Sequence, residues 1–179
     1  MNLIIISCSL NIGSRSSAMA RLAYQQLNGS EHDIEHIELV DWNLPFCNGG
    51  PCYSNEQVIA LSQKIEKATG ILIATPIYNY DVSAATKNFL ELTGKAWKEK
   101  ITGFMCAAGG TGSYMSVMPF ANSLMLDYRC TIIPRFVFAT GEAFSGEKIQ
   151  DPEINRRLKE LTDDFLRYSA ALDVKMQSA

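Results

Sequence analysis

Positive charge is in short supply in this chain: 16 Lys and Arg stand against 19 Asp and Glu, for a formal net charge of -3. Nucleic acid and anionic membrane surfaces both select basic proteins, so neither is an expected partner. Histidine is scarcer still, with only His32 and His36. Neither stands at a ligand-like spacing from the cysteines, and no metal site is expected. Long apolar runs are missing. Residues 1–10 are apolar, but no basic stretch precedes them and the run ends in a Ser/Gly loop. It reads as a first strand rather than a signal peptide or membrane span, and the expected location is cytoplasmic. Repeats, low-complexity segments and long linkers are absent too, and 179 residues suit one domain spanning 1–179.

The five cysteines are Cys8, Cys47, Cys52, Cys106 and Cys130. An odd number, with Cys8 and Cys106 inside apolar strand-like runs, points to reduced and mostly buried thiols. Cys47-Asn-Gly-Gly-Pro-Cys52 supplies too few ligands for an iron–sulfur cluster and reads as a loop thiol pair, its redox activity left open.

What is present is an alternation of strand and helix. Residues 3–7 form an apolar run without polar alternation, as in a strand buried on both faces. A helix follows over 16–27, with Met19, Leu22, Ala23 and Leu27 on one side. Residues 34–40 alternate apolar and polar, which suggests a strand near an edge. The next helix, 55–67, has Asn55 as its cap and Val58, Leu61 and Ile65 facing inward. Strands are expected over 70–75, over 103–107 with Ile101, and over 131–139. Helices are expected over 84–96 and 113–128, the latter kinked at Pro119, and over 151–176 with Pro152 at its first position. Five strands joined by helices imply a three-layer α/β fold with a doubly wound parallel sheet. Order 2-1-3-4-5 is one of the two common arrangements, and it puts the ligand crevice at the carboxyl ends of the first, third and fourth strands.

Three loops fall there. The first, Ser9-Leu10-Asn11-Ile12-Gly13-Ser14-Arg15-Ser16-Ser17, opens a helix. Unpaired amides and the positive dipole end attract phosphate, and Ser9, Asn11, Ser14, Arg15, Ser16 and Ser17 can add hydrogen bonds or charge. It matches neither a dinucleotide fingerprint nor an NTP loop. The second, Thr75-Pro76-Ile77-Tyr78-Asn79-Tyr80-Asp81, offers a rigid backbone edge and aromatic cover to a flat heterocycle through Pro76, Ile77, Tyr78, Asn79 and Tyr80. The third, Ala107-Ala108-Gly109-Gly110-Thr111-Gly112-Ser113-Tyr114, lets backbone at Ala108, Gly109, Gly110 and Ser113 approach a ligand closely, its glycines permitting positive φ.

Together these loops resemble the NAD(P)H-dependent FMN reductase family of flavodoxin-like proteins. Residues 8–16 follow that family's G-S-L-R-x-G-S-x-N-like phosphate loop with substitutions. Pro76, Tyr78, Asn79, Lys87 and Asn88 match its P-x-Y-N-x-S-x-P-G-x-L-K-N motif, and residues 109–113 match its glycine-rich loop. Departures are Ser83-Ala84 for the family's Pro-Gly and Asp81 for its Ser. The resemblance implies FMN as cofactor, NADPH or NADH as hydride donor, and a flavin, quinone or similar small-molecule acceptor. It also implies a homodimer, or a dimer of dimers, with the flavins near the interface; Trp42 and Phe46 are either core residues or, by analogy with the family and as the favoured reading, padding for the partner's flavin site. No catalytic triad is expected, because the cofactor carries the chemistry.

Two other readings stand beside this one. Cys8, Arg15 and Asp151 invite comparison with small phosphatases that use C-x-x-x-x-x-R-[ST] after the first strand, although Cys8 to Arg15 is one residue too long. A non-enzymatic flavodoxin-type electron carrier is the other, although a T-x-T-G-x-T-like loop is missing.

Overall fold

The computed structural model describes residues 1–177. In chain order its strands are β1 (Asn2–Ser7), β2 (Asp33–Glu38), β3 (Gly70–Tyr78), β4 (Asp81–Val82), β5 (Ile101–Ala108), β6 (Thr131–Thr140), β7 (Phe144–Ser145) and β8 (Lys148–Ile149). Its helices are α1 (Arg15–Leu27), α2 (Glu56–Lys67), α3 (Ala84–Thr93), α4 (Met118–Tyr128) and α5 (Pro152–Gln177). Five parallel strands run in the order β2-β1-β3-β5-β6, the 2-1-3-4-5 arrangement expected from the sequence. The short β4 pairs antiparallel with the end of β3.

Strand alternation divides the core in two. Ile4 and Ile6 of β1, Ile71 and Ile73 of β3, and Phe104 and Cys106 of β5 face α2, α3 and α4. Leu3 and Ile5, Leu72 and Ala74, and Met105 face α1 and α5, where Leu158, Leu161 and Phe165 are completely buried. Both faces of β1, β3 and β5 are therefore apolar, whereas β2, at the sheet edge, buries only Ile37 fully. Gly103 sits at a register shift between β5 and β6, and a Cβ there would lie 2.8 Å from Leu72 Cδ2.

Several bounds differ from expectation. The 34–40 strand stops at Glu38 and a 3-10 turn, Leu39–Asp41, follows it. The 84–96 helix ends at Thr93, where Gly94 enters positive φ. The 113–128 helix begins only at Met118, after a 3-10 turn at Thr111–Ser113. Pro119 does not kink that helix; it occupies the first turn, where its missing N–H costs nothing. Of the two readings open for Trp42 and Phe46, Trp42 takes the core one, packed partly buried against it, while Phe46 is 84% exposed.

The strand ends create a step. Ser7 closes β1 level with Ala74, but β3 continues to Tyr78 and β5 to Ala108, paired as Pro76 with Ala107. The floor of the cleft is this step, at the point where the strand order reverses between β1 and β3.

Candidate functional site

The first wall is built by serines. Ser9 Oγ accepts a hydrogen bond from the Asn11 amide at 3.2 Å, and the Ser14 amide donates to Asn11 O at 3.2 Å, closing a turn with Gly13 at φ +77°. Ser14 then caps α1: its hydroxyl accepts from the Ser17 amide at 3.1 Å. Ser14 Oγ also lies 3.0 Å from the hydroxyls of both Ser16 and Ser17, and Ser17 Oγ lies 2.5 Å from Ser7 Oγ. A chain of hydroxyls thus runs from the end of β1 to the cleft. Ser14, Arg15 and Ser16 line the cleft, whereas Ser17 turns its hydroxyl back to Ser7 and Ser14. The amides of Arg15 and Ser16 precede the first intrahelical hydrogen bond and have no intrahelical acceptor. Among the described residues Arg15 makes no ion pair; its guanidinium lies over Gly141, where a Cβ would stand 2.9 Å from Nη1.

The second wall is the end of β3. Tyr78 and Asp81 pair across a two-residue turn in which Asn79 (φ 51°) and Tyr80 (φ 64°) are both left-handed, the geometry of a hairpin turn. Left-handed backbone is uncommon outside glycine, and most uncommon for a residue as bulky as Tyr80. It holds Tyr78 and Tyr80 out from the surface, the latter 70% exposed. Beneath the turn, Thr86 Oγ1 lies 2.7 Å from Thr75 Oγ1 and 2.8 Å from Ser83 Oγ, fastening the start of α3 to β3. Asp81, which departs from the family motif, accepts from the Val82 amide at 2.7 Å.

The third wall corrects the expectation drawn from its glycines. Among residues 109, 110 and 112 none has positive φ. What Gly109 and Gly110 contribute is bare backbone: a Cβ at either would meet nothing within 4 Å. At Gly112 a Cβ would lie 3.3 Å from the Tyr80 hydroxyl, so the second and third loops pack together there.

Between these walls lies a cleft of about 790 Å³ lined by Asn11, Ser14, Arg15, Ser16, residues 76–79, Ala108 and Gly109, within the range of small-molecule sites. A second hollow of about 300 Å³ continues past Ile77, Asn79 and Gly109 to Tyr80, Gly110 and Ser113. Of the residues singled out from sequence, Ser9 and Ser17 line neither hollow. Gly146 and Glu147, which do line the cleft, were not anticipated. They form the turn between β7 and β8, with Gly146 at φ +59°; Ser145-Gly146 was the turn signal available in the sequence. Glu147 Oε1 would lie 2.7 Å from a Cβ on Gly13, and Glu147 Oε2 accepts from Arg21 Nη2 at 2.6 Å.

This donor set fits FMN. One end offers an unpaired guanidinium, buried hydroxyls and first-turn amides suited to a phosphate. The other offers bare backbone edges and two tyrosines suited to a flat ring. It does not fit a cysteine phosphatase. Cys8 is wholly buried on the core side, and burial pushes its thiol up to about 12, so no thiolate is available. Asp151 accepts from the Glu153 amide at 2.8 Å as the cap of α5 and lies outside the cleft.

The family model described as NADPH-dependent FMN reductase matches residues 1–145. The chain belongs to that family. An NAD(P)H-dependent FAD/FMN reductase of Geobacillus thermodenitrificans is 27% identical over 73% of this chain and 72% of its own length. An NADPH:quinone oxidoreductase of Arabidopsis thaliana is 31% identical over 80% of this chain and 75% of its own. FerB, a flavoenzyme NAD(P)H:(acceptor) oxidoreductase from Paracoccus denitrificans, shares the fold with a TM-score of 0.78 over 95% of this chain and 97% of its own, at 19% identity. Family membership makes the chain an NAD(P)H-dependent flavin oxidoreductase with FMN as its cofactor, and the phosphatase and electron-carrier readings are not favoured. Among the described residues no group of His, Cys, Asp and Glu could hold a metal, and no helix is long and apolar enough to cross a membrane.

Proposed function

We propose that this chain is a single-domain, cytoplasmic reductase that holds the FMN phosphate at the start of α1 and the flavin ring between residues 76–80 and 108–113, and that it reduces a small flavin, quinone or similar acceptor. The observation carrying the proposal is the convergence of unpaired Arg15, Ser16 and the first-turn amides on one end of a cleft whose other end is bare backbone. Bound there, FMN would supply the redox chemistry, hydride acceptance from NAD(P)H and onward transfer of electrons. The protein's task is then positioning. Ser14 and Ser16 orient the phosphate, Asn11 and Ser9 hold the loop in shape, and Ser17 anchors the hydroxyl chain to β1. Pro76, Ile77, Tyr78, Asn79 and Tyr80 fix one ring edge; Ala108, Gly109, Gly110 and Ser113 fix the other.

With residues 76–80 and 108–113 on the two sides of the cleft, donor and acceptor would have to enter by the same opening in turn, so steady-state kinetics should be ping-pong. Anaerobic mixing of the FMN-loaded protein with NADPH or NADH, without acceptor, should bleach the flavin absorbance as fast as turnover. If neither nucleotide does so, a partner protein feeds the electrons and the reductase proposal fails.

Exposed Phe46, Ile12, Tyr80, Tyr114 and Met115 support a homodimer, because burial against a second copy would remove their apolar surface from water. Light scattering across a dilution series tests this; a monomer at micromolar concentration would contradict it.

Glu147 sets the electrostatic balance at the phosphate end. Its carboxylate opposes the phosphate, and the ion pair with Arg21 offsets only part of that. Glu147→Gln should tighten FMN binding about two- to fivefold, the size of exposed charge interactions. Riboflavin binding should not change, and the gain should shrink as salt rises. Weaker FMN binding in the variant would place the phosphate elsewhere.

A further inference from the structure

The loop between β2 and α2 carries chemistry that FMN binding does not use. Its two thiols differ from the other three. Burial pushes the thiols of Cys8 and Cys106 up to about 12 and that of Cys130 up to about 11, which makes them inert. At Cys52 burial also acts upward, but the amides of Asn48, Gly50 and Gly49 and the Cys47 thiol together outweigh it and hold the group below the ordinary value.

The geometry is that of a fold-back turn. Asn48 Oδ1 accepts from the amides of Gly50 at 3.1 Å and Cys52 at 3.4 Å, and Gly49 supplies the positive φ of +72° that turns the chain. The turn sets Cys52 Sγ 3.4 Å from the Asn48 amide, so that this sulfur accepts from the very peptide that joins Asn48 to Cys47. On the other side, Cys47 Sγ lies 3.4 Å from the Tyr53 hydroxyl. Asn88 of α3 pins the loop from below: its Oδ1 accepts from the Cys47 amide at 2.8 Å and its Nδ2 donates to Pro45 O at 3.0 Å. Cys52 packs with Val58 and Leu92, while Cys47 is half-exposed. Both are free thiols.

We propose that Cys47 and Cys52 form a second redox centre, a dithiol that closes to an intramolecular disulfide by exchange with a low-molecular-weight disulfide. The half-exposed Cys47 is the entry point. As a thiolate, with the Tyr53 hydroxyl donating to it, Cys47 attacks one sulfur of the incoming disulfide; the second sulfur leaves as a thiolate. Cys52, whose thiolate the Asn48 amide stabilises, then attacks Cys47 Sγ as a thiolate, forming the protein disulfide and expelling the other thiolate. The two protons lost by the cysteines end on the two small thiols released. The dithiol is oxidised by two electrons and the small disulfide is reduced by two. The covered, amide-cradled position of Cys52 suits the resolving role, since it meets only a sulfur already bonded next to it.

The test is equilibration of the FMN-loaded protein in glutathione buffers of graded ratio, followed by acid quench, thiol alkylation and peptide mass analysis. The expected result is loss of two alkylatable thiols at once, with a peptide linking Cys47 to Cys52, while Cys8, Cys106 and Cys130 stay reduced. Cys52→Ser should stop at a glutathione adduct on Cys47, and Cys47→Ser should give neither adduct nor disulfide at Cys52. Flavin absorbance reports that each variant is folded. Five reduced thiols in excess oxidised glutathione would overturn the proposal, as would a first adduct on Cys52 or disulfides only between copies.

Discussion

Removing the guanidinium and the hydroxyl at the start of α1, in the variant Arg15→Ala with Ser16→Ala, should weaken FMN binding a hundredfold or more and leave riboflavin binding within about twofold. A hydrogen bond to a charged group contributes about 1.5–3 kcal/mol, which is roughly ten- to 150-fold at 1.4 kcal/mol per decade. Each single replacement should therefore cost about one to two decades. The two residues share one anion, so their effects need not add. Ser14→Ala makes a poorer test because Ser14 Oγ caps α1 through the Ser17 amide, and losing a cap costs about 1 kcal/mol of stability in its own right. Ser17→Ala is the internal control: its hydroxyl faces Ser7 rather than the cleft, and FMN affinity should change far less than in Ser16→Ala. Isothermal titration of the apoprotein with each flavin separates the outcomes. Equal losses for FMN and riboflavin would mean that the loop has collapsed. Unchanged FMN affinity in the double variant would mean that Arg15 and Ser16 do not hold the phosphate.

The contrast between Ser16 and Ser17 shows where sequence stops being informative. Both hydroxyls are plausible phosphate ligands in a string of serines. Helical rotation of about 100° per residue sends one to the cleft and the other back to β1. That rotation depends on where α1 begins, and helix ends are uncertain by a residue or two in any pattern. The sheet was easier. β1 and β3 are apolar on both faces, a pattern that only a central parallel strand satisfies comfortably, and the crossover rules then fix the crevice. Pro119 was visible, but a proline serves equally to kink a helix or to begin one, and only the 3-10 turn at Thr111–Ser113 decides between them. The hairpin of β7 and β8 is two residues per strand, too short for any alternation to register, and Glu147 entered the site with it. Asn79 and Tyr80 show a different limit. Asparagine tolerates the left-handed region, but tyrosine does not advertise it, so the conformation of Tyr80 follows from the β3–β4 pairing rather than from its own preference.

The largest effect on stability is expected at Trp97, which the sequence pattern placed just beyond the end of a helix. Trp97 is completely buried under α3, packed edge-to-face on Phe89 with ring centroids 5.5 Å apart. Its indole N–H donates to Thr93 Oγ1 at 2.7 Å, and that hydroxyl donates in turn to Phe89 O at 2.7 Å. Its carbonyl accepts from the Cys130 thiol at 3.1 Å, joining α3 to the start of β6. Replacing a buried Trp by Ala costs about 3–5 kcal/mol, against a total stability of roughly 5–15 kcal/mol for a domain. A chain of this size loses about 2–4 °C of Tm per kcal/mol, so Trp97→Ala should melt roughly 6–20 °C below the parent. Trp97→Phe keeps most of the ring volume and should lose much less. The cofactor site should be nearly indifferent at temperatures where the variant is folded. Pro76 is held by its pairing with Ala107 of β5 and Asn79 by the β3–β4 turn, and the start of α3 is fastened to Thr75 through Thr86 and Ser83, about one turn before Phe89. Calorimetry with FMN titration below the transition measures both quantities on one sample. A Tm shift under 2 °C would mean that the cavity collapses at little cost. A large Tm shift with a tenfold or greater loss of FMN affinity would show that α3 packing, and not the β3–β5 pairing, holds the ring-binding turn in place.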